Sequence, residues 1–120
     1  MTTCLPTVRV TIVTGALARI LAAIAAEPID HVITAIADGV HNHVSAHYRG
    51  EAVDLRTRTL SPADLHATIA RLETALGADY LVLYERPGDT PATSAEHLHV
   101  QLRRALANAP AFPPSQATDA

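Results

Sequence analysis

Two short windows of the sequence concentrate residues that could bind a metal ion. Of the seven histidines among 120 residues, five lie within positions 41–47 and 97–99, and His31 lies just upstream of the first window. Asp54 follows that window, inside the segment "SAHYRGEAVDLR". Two histidines and one carboxylate around an open position are the ligand set of a catalytic zinc site, whose bound water has a pKa of about 7. The sequence therefore predicts a zinc site assembled from both windows.

The spacing of these residues decides which side chains can meet. His97 and His99 are two residues apart, so they share a face if they lie in a strand. His47 and Asp54 are seven residues apart and would face opposite sides of a straight strand. Because Gly50 can turn without steric cost, a turn there would bring Asp54 onto the side of His47.

A carboxylate close to the water could act as general base and then as proton donor. Glu96, three residues before His99, is the first choice for this role. Charges beside apolar segments are costly unless a cation compensates them, which gives a physical reason for their presence here.

Strands and helices must interleave to position these residues. Segments rich in β-branched residues or alternating in polarity predict strands at 8–13, 31–38, 51–57, 80–85 and 97–102. In the third of these segments, Asp54 points away from the apolar face. The predicted fold is α+β, with a mostly antiparallel sheet of about four strands flanked by two main helices.

Two apolar stripes predict the helices. The second helix has clear ends, because Ser61 and Pro62 are typical of a helix start and Gly77 of a C-terminal cap. The first helix should end before Pro28. The stripes consist of Leu17, Ile20, Leu21 and Ile24 in the first helix, and of Leu65, Ile69, Leu72 and Leu76 in the second.

Length and composition predict one domain over 1–104 and a flexible tail rich in proline and alanine over 105–120. The chain is 48% hydrophobic and 18% charged, as is typical of soluble globular proteins. Its net charge of −3 gives no electrostatic basis for binding nucleic acid or an anionic membrane. We therefore expect neither as a partner.

The apolar segment at 10–27 resembles a signal peptide or membrane span only superficially. It lacks a basic start, and Arg19 interrupts it before Glu27, so it is interpreted as core. Cys4 is the single cysteine, which excludes an internal disulfide and a cysteine-based zinc site. We expect a protein without a signal peptide that is synthesised in the cytoplasm.

Two motifs resemble those of a known family. S-A-H-Y-R-G-E-A-V-D-L (45–55) matches the S-x-H-x-x-G-x-A-x-D motif of zinc-dependent D-alanyl-D-alanine carboxypeptidases and phage endolysin peptidases. E-H-L-H (96–99) matches their acidic-x-x-His element. The resemblance extends from about Ile33 to Leu102 and is strongest to short phage-type members that read D-G-x-H, here 38–41. Because the Hedgehog signalling domain has the same signatures, the resemblance implies a Hedgehog/DD-peptidase fold.

The resemblance implies that His47, Asp54 and His99 bind Zn²⁺. The implied activity is cleavage of peptidoglycan stem peptides at bonds that contain D-amino acids, by zinc-activated water and a glutamate base. A monomer whose partner is the peptidoglycan peptide, released by a phage-associated route, is the expected biological form.

The same resemblance implies that Glu96 is the catalytic base and that His97 is a polarising residue beside it. The Hedgehog domain has its glutamate at the end of the preceding strand, in a "Y-Y-E" element that "L-Y-E" matches here. Glu85 is therefore the alternative base.

The substrate-binding residues depart from the family pattern. Carboxypeptidase members carry S-G-x-R after the second strand, and its arginine grips the substrate, whereas this chain has Ala35 and Ile36 there. Other guanidinium groups could bind a carboxylate in its place. The candidate substrate-binding residues are Arg49, Arg56, Arg58, Ser45 and His41.

Two non-catalytic interpretations stay open. The chain could be a zinc-binding module of a phage particle or a partner-recognition domain, which would keep the metal ligands without needing the glutamate. The zinc could instead be structural and hold the loop 39–50, with His97 or His41 as its fourth ligand. Lone histidines are usually structural or exposed, and this is the expectation for His31, His43 and His66.

Overall fold

The computed structural model describes residues 1–8, 10, 14–36, 50–88 and 95–103. Its elements in chain order are β1 (Thr2–Cys4), α1 (Gly15–Ala25), β2 (His31–Ala35), β3 (Ala52–Arg56), α2 (Pro62–Leu76), β4 (Tyr80–Glu85) and β5 (His97–Leu102). The chain is thus α+β, as its sequence predicts. No helix in these ranges has the length and apolar character needed to cross a membrane.

The strands form one sheet in the order β1-β2-β3-β5-β4. β1 pairs with β2 in parallel, and the remaining neighbouring pairs are antiparallel. The described residues therefore contain five strands rather than about four, and the prediction of a mostly antiparallel sheet is confirmed. β5 lies between β3 and β4, so side chains on β5 have neighbours on both sides.

The N-terminal strand differs from the prediction of a strand at 8–13. The first strand is Thr2–Cys4, and Val8 and Val10, the described residues of the predicted range, lie outside any strand. Leu5 N donates to Ile33 O at 3.1 Å, and Val8 N then donates back to Leu5 O at 3.0 Å, which turns the chain away from the sheet edge. Residues 9 and 11–13 of the predicted range lie outside the described residues.

Both helices pack against one face of the sheet. α1 contacts β3 and β5, and α2 contacts β4. The two predicted stripes face this core, with Leu21, Leu65 and Ile69 only partly buried. The strand residues on the same face alternate with polar ones, as expected when only one face packs against helices. The fully or nearly fully buried core consists of Leu17, Ile20, Ile24, Ile33, Ile36, Val53, Leu55, Leu72, Leu76, Val82, Leu98 and Val100.

Specific side chains define the helix ends. The hydroxyl of Ser61 accepts from Asp64 N at 3.1 Å, and Gly77 ends α2 with a φ of +81°, as the sequence predicts. The hydroxyl of Thr14 accepts from Leu17 N at 3.0 Å and donates to Gly50 O at 2.7 Å. Thr14 therefore caps α1 and attaches that helix to the turn before β3.

A partly buried ionic cluster joins the end of α1, the start of β2, and α2. Arg71 Nε and Nη2 donate to Glu27 Oε2 and Oε1 at 2.9 and 3.0 Å. His31 Nε2 donates to Glu27 Oε1 at 3.1 Å, and the Glu27 side chain is only 4% exposed. His31 is therefore structural, which is one of the two roles expected for it, whereas His66 is exposed.

Candidate metal centre

Asp54, His97 and His99 project from the sheet face opposite the helices. Alternation along each strand directs the neighbouring residues Val53 and Leu98 into the core and these three side chains away from it. Asp54 on β3 is paired directly with His99 on β5, so their side chains are cross-strand neighbours. The predictions that His97 and His99 share a face, and that Asp54 lies away from the core side, are confirmed.

The donor atoms of these residues converge. Asp54 Oδ1 lies 3.0 Å from His99 Nδ1, and Asp54 Oδ2 lies 3.8 Å from His97 Nε2. One ligand atom from each residue can be chosen such that all three lie within 4.8 Å of one another. Asp54 is 6% exposed, so the carboxylate is held in a largely desolvated position. We refer to Asp54, His97 and His99 as the metal cluster.

The ligand types of the metal cluster are compatible with a zinc ion. Zinc binds imidazole nitrogen and carboxylate oxygen at about 2.0–2.2 Å, which places tetrahedral ligands about 3.3 Å apart. The separations that involve Asp54 are 3.0 Å from Oδ1 to His99 and 3.8 Å from Oδ2 to His97, and one ligand atom from each of the three residues lies within 4.8 Å of the others. The side chains would therefore have to move closer together to share one ion.

His99 is held between two acceptors. Its Nδ1 faces Asp54, and its Nε2 lies 2.6 Å from Gln101 Oε1. Burial by itself lowers the pKa of His99, but the hydrogen bond and charge of Asp54, together with Gln101 and Glu85, outweigh burial and raise the pKa above its ordinary value. Both ring nitrogens of His99 thus face an acceptor oxygen.

His97 is also held at both ring nitrogens. Nδ1 lies 3.0 Å from the backbone oxygen of Ala95 and therefore donates to it. Nε2 lies 2.7 Å from Glu85 Oε1 and is directed toward Asp54. Glu85 is paired with His97 across β4 and β5, which places its carboxylate beside the metal cluster. The side chains of His97 and Glu85 are 18% and 19% exposed, so the site is partly open to solvent.

Glu96 has a different partner. The hydroxyl of Tyr84 donates to Glu96 Oε2 at 2.5 Å. Tyr84 is paired with Leu98 and packs against the helix-side core. Of the two glutamates that the sequence offers as base, the structure thus brings Glu85 into contact with the metal cluster and Glu96 into contact with Tyr84.

Some of the remaining predicted site residues lie within the described ranges and others lie outside them. Arg56 is paired with His97 across β3 and β5, so it lies on the face of the metal cluster, whereas Arg58 is exposed beyond the end of β3. Gly50 has a φ of +68°, so the predicted turn before β3 is confirmed. The predicted site residues His41, Ser45, His47 and Arg49 lie outside the described ranges, as do Asp38 and Gly39 of the D-G-x-H motif and His43, which was expected to be structural or exposed.

Sequence reasoning did not recognise Gln101 as part of the site. Gln101 lies two residues after His99, and this period-2 spacing is the signal that could have placed it on the same face. His97, predicted as a polarising residue or as the fourth ligand of a structural zinc, belongs to the group of residues that could hold an ion.

The resemblance to zinc-dependent peptidases is carried by two motifs, of which the structure describes E-H-L-H and the first motif from Gly50 onward. In these parts, the motif residues Asp54 and His99 lie side by side. No protein-family model, curated protein or solved structure matches the chain.

Proposed function

We propose that this protein is a zinc-dependent peptidase that cleaves peptidoglycan stem peptides at bonds containing D-amino acids. The observation that carries the proposal is the convergence of Asp54, His97 and His99 with Glu85 adjacent to them. Three protein ligands with a nearby carboxylate are the usual composition of a catalytic zinc site. The choice of substrate comes from the motifs at 45–55 and 96–99, which resemble those of cell-wall peptidases.

Each residue of the site has a role that its position supports. Asp54, His97 and His99 would hold the ion, and when bound, zinc supplies Lewis acidity toward water and a peptide carbonyl. Glu85 is positioned to take a proton from water and pass it to the leaving amine, since its carboxylate is partly exposed beside His97. Glu85 replaces Glu96 in this proposal because Glu96 is bonded to Tyr84.

Arg56 is the described candidate for binding a substrate carboxylate. It lies on the site face next to His97 and is partly exposed. Its guanidinium could bind the carboxyl group of a stem peptide through two parallel hydrogen bonds. This would supply the interaction that the S-G-x-R arginine makes in related carboxypeptidases.

The direct test is to incubate the zinc-loaded protein with purified peptidoglycan fragments and identify the products by mass spectrometry. We expect loss of a terminal D-alanine or scission within the stem peptide, and the masses distinguish the two. Asp54→Ala should abolish the products, whereas His66→Ala, which alters an exposed helix residue, should leave them unchanged. If the zinc-loaded wild type releases no fragment that Asp54→Ala lacks, the proposed activity is excluded.

A non-catalytic zinc-binding module is the second candidate, and one distance favours it. Glu85 Oε1 lies only 2.7 Å from His97 Nε2, close enough for Glu85 to serve as a fourth ligand and close the site. Structural zinc has four protein ligands, whereas catalytic zinc keeps one position for water. X-ray absorption of the zinc-loaded protein, compared between wild type and Glu85→Gln, should therefore show the same protein ligands in both if the site is catalytic.

A further inference from the structure

We infer that Gln101 is a positioning residue that fixes which nitrogen of His99 faces the metal ion. The inference rests on the proposed metal centre and concerns a residue outside both motifs. Its basis is the short contact between Gln101 Oε1 and His99 Nε2, at 2.6 Å, on the side of the ring away from Asp54.

The geometry around His99 permits only one metal-bound form of the ring. Nδ1 faces Asp54 at 3.0 Å, so it is the nitrogen available to an ion that Asp54 also binds. A ligating nitrogen must be unprotonated, so the single ring proton must be on Nε2. Gln101 Oε1 accepts that proton and thereby stabilises the tautomer that binds through Nδ1.

The orientation of the Gln101 amide is itself constrained. Its Nε2 donates to Leu102 O at 3.4 Å, so the other end of the amide, the oxygen, faces His99. Turning the amide over would place its oxygen against the carbonyl oxygen of Leu102 and its NH₂ against the ring N–H of His99. Two acceptors and two donors would then face each other without a hydrogen bond, in a buried position. Gln101 is 3% exposed, which limits replacement of the lost partner by water.

His97 has the complementary arrangement, with the opposite nitrogen directed toward the metal cluster. Its Nδ1 donates to Ala95 O at 3.0 Å, which leaves Nε2 facing Glu85 Oε1 at 2.7 Å and Asp54 Oδ2 at 3.8 Å. The backbone supplies the acceptor for His97, whereas a side chain supplies it for His99. Only the second acceptor can be removed by a single substitution, which makes Gln101 the residue to test.

The experiment measures zinc affinity by competition with a chromophoric chelator, using Gln101→Met and Gln101→Glu. Methionine has a similar size without the oxygen acceptor, whereas glutamate retains an acceptor. We expect Gln101→Met to weaken zinc binding by about 10–100-fold, as loss of an outer partner of a ligating histidine does, and Gln101→Glu to bind at least as tightly as wild type. Wild-type affinity in Gln101→Met, or equal weakening in both variants, would overturn the inference.

A second measurement covers the case in which Gln101→Met does not fold. Nitrogen-15 NMR of the zinc-loaded wild type should show a protonated Nε2 and a metal-bound Nδ1 for His99, and the reverse for His97. A His99 signal protonated at Nδ1 would contradict the inference directly. Melting temperatures of the metal-free variants serve to separate a loss of packing from a loss of metal affinity.

These assays need no peptide, so they distinguish the inference from the proposed activity. If Gln101→Met loses affinity while peptidoglycan stays uncut, the positioning role stands and the peptidase activity fails. If peptidoglycan is cut and Gln101→Met binds zinc with wild-type affinity, the peptidase activity stands and the positioning role fails. A wild-type protein that binds no zinc would overturn both.

Discussion

Asp54 and His99 are directly paired across β3 and β5, with the carboxylate oxygen 3.0 Å from Nδ1 of the imidazole. Strand pairing fixes this approach, because directly opposed residues in an antiparallel pair have Cβ atoms about 4.5–5.5 Å apart. Glu85 and His97 repeat the relationship across β4 and β5. Each histidine of β5 thus meets a carboxylate from a different neighbouring strand.

The two histidines of β5 should both be needed for tight zinc binding. We expect His97→Ala and His99→Ala each to weaken zinc affinity by more than about 100-fold, the upper end of what loss of an outer partner costs. His66→Ala is the matched control, since His66 is exposed on α2. Calorimetry with one zinc ion per chain gives the measurement. Unchanged affinity in His97→Ala, with affinity lost in His99→Ala, would remove His97 from the ligand set.

Substitutions of Glu85 and Glu96 should differ in their effect on the rate of peptide cleavage. Glu85→Gln preserves shape but cannot accept a proton, so we expect cleavage to fall by about 10²–10⁴-fold while zinc remains bound. Glu96→Gln should change cleavage only a few-fold, because Glu96 contacts Tyr84 rather than the metal cluster. Rates of peptide release and zinc content should be measured on the same samples. The opposite ranking of the two variants would restore Glu96 as the base.

The buried Glu27 should make stability depend on pH. Burial pushes the pKa of Glu27 upward, but hydrogen bonds and charges from Arg71 and His31 outweigh it and hold the pKa below the ordinary value of 4.5. The folded state therefore binds fewer protons than the unfolded state in this range, so the stabilisation is present above about pH 4.5 and is lost as the pH falls through the folded pKa.

Glu27→Gln tests this dependence. We expect it to lower the free energy of unfolding by about 1–3 kcal/mol at pH 7, as for a lost hydrogen bond to a charged group. The difference from wild type should shrink as the pH falls below 4.5. Urea denaturation at several pH values gives both quantities, with Glu73→Gln as an exposed control on α2. A difference that grows toward acid pH is incompatible with a lowered pKa.

Two glycines should respond in opposite ways to alanine. Gly50 has a φ of +68°, so Gly50→Ala places a Cβ in left-handed backbone and should cost about 1–2 kcal/mol. Gly15 begins α1, and an added Cβ there would have no atom within 4 Å, so Gly15→Ala should be neutral or stabilising by up to about 1 kcal/mol. Thermal unfolding of both variants measures these changes in stability. A lower melting temperature for Gly15→Ala than for wild type would contradict the prediction.

The parts of the fold that could be predicted from the sequence depend on local signals. Ser61 and Gly77 mark the ends of α2 because capping involves only a few neighbouring residues. The shared face of His97 and His99 follows from the two-residue period of a strand. The turn at Gly50 was likewise predictable from the conformational freedom of glycine.

The parts that could not be predicted depend on which strands pair, and in what register. The placement of Glu85 beside His97 requires β4 to neighbour β5 with these residues opposed, and residue spacing along the chain does not specify that alignment. The pairing of Thr2–Cys4 with β2 is equally non-local. The salt bridge between Glu27 and Arg71 links positions 44 residues apart, beyond the reach of any local pattern.

The donors of the metal cluster all belong to paired strand positions, as does Glu85. Their mutual spacing therefore depends on the register of β5 against both of its neighbours. A slip of β5 by a single residue would turn both histidines toward the helices, so one registry error would dismantle the whole group of donors at once.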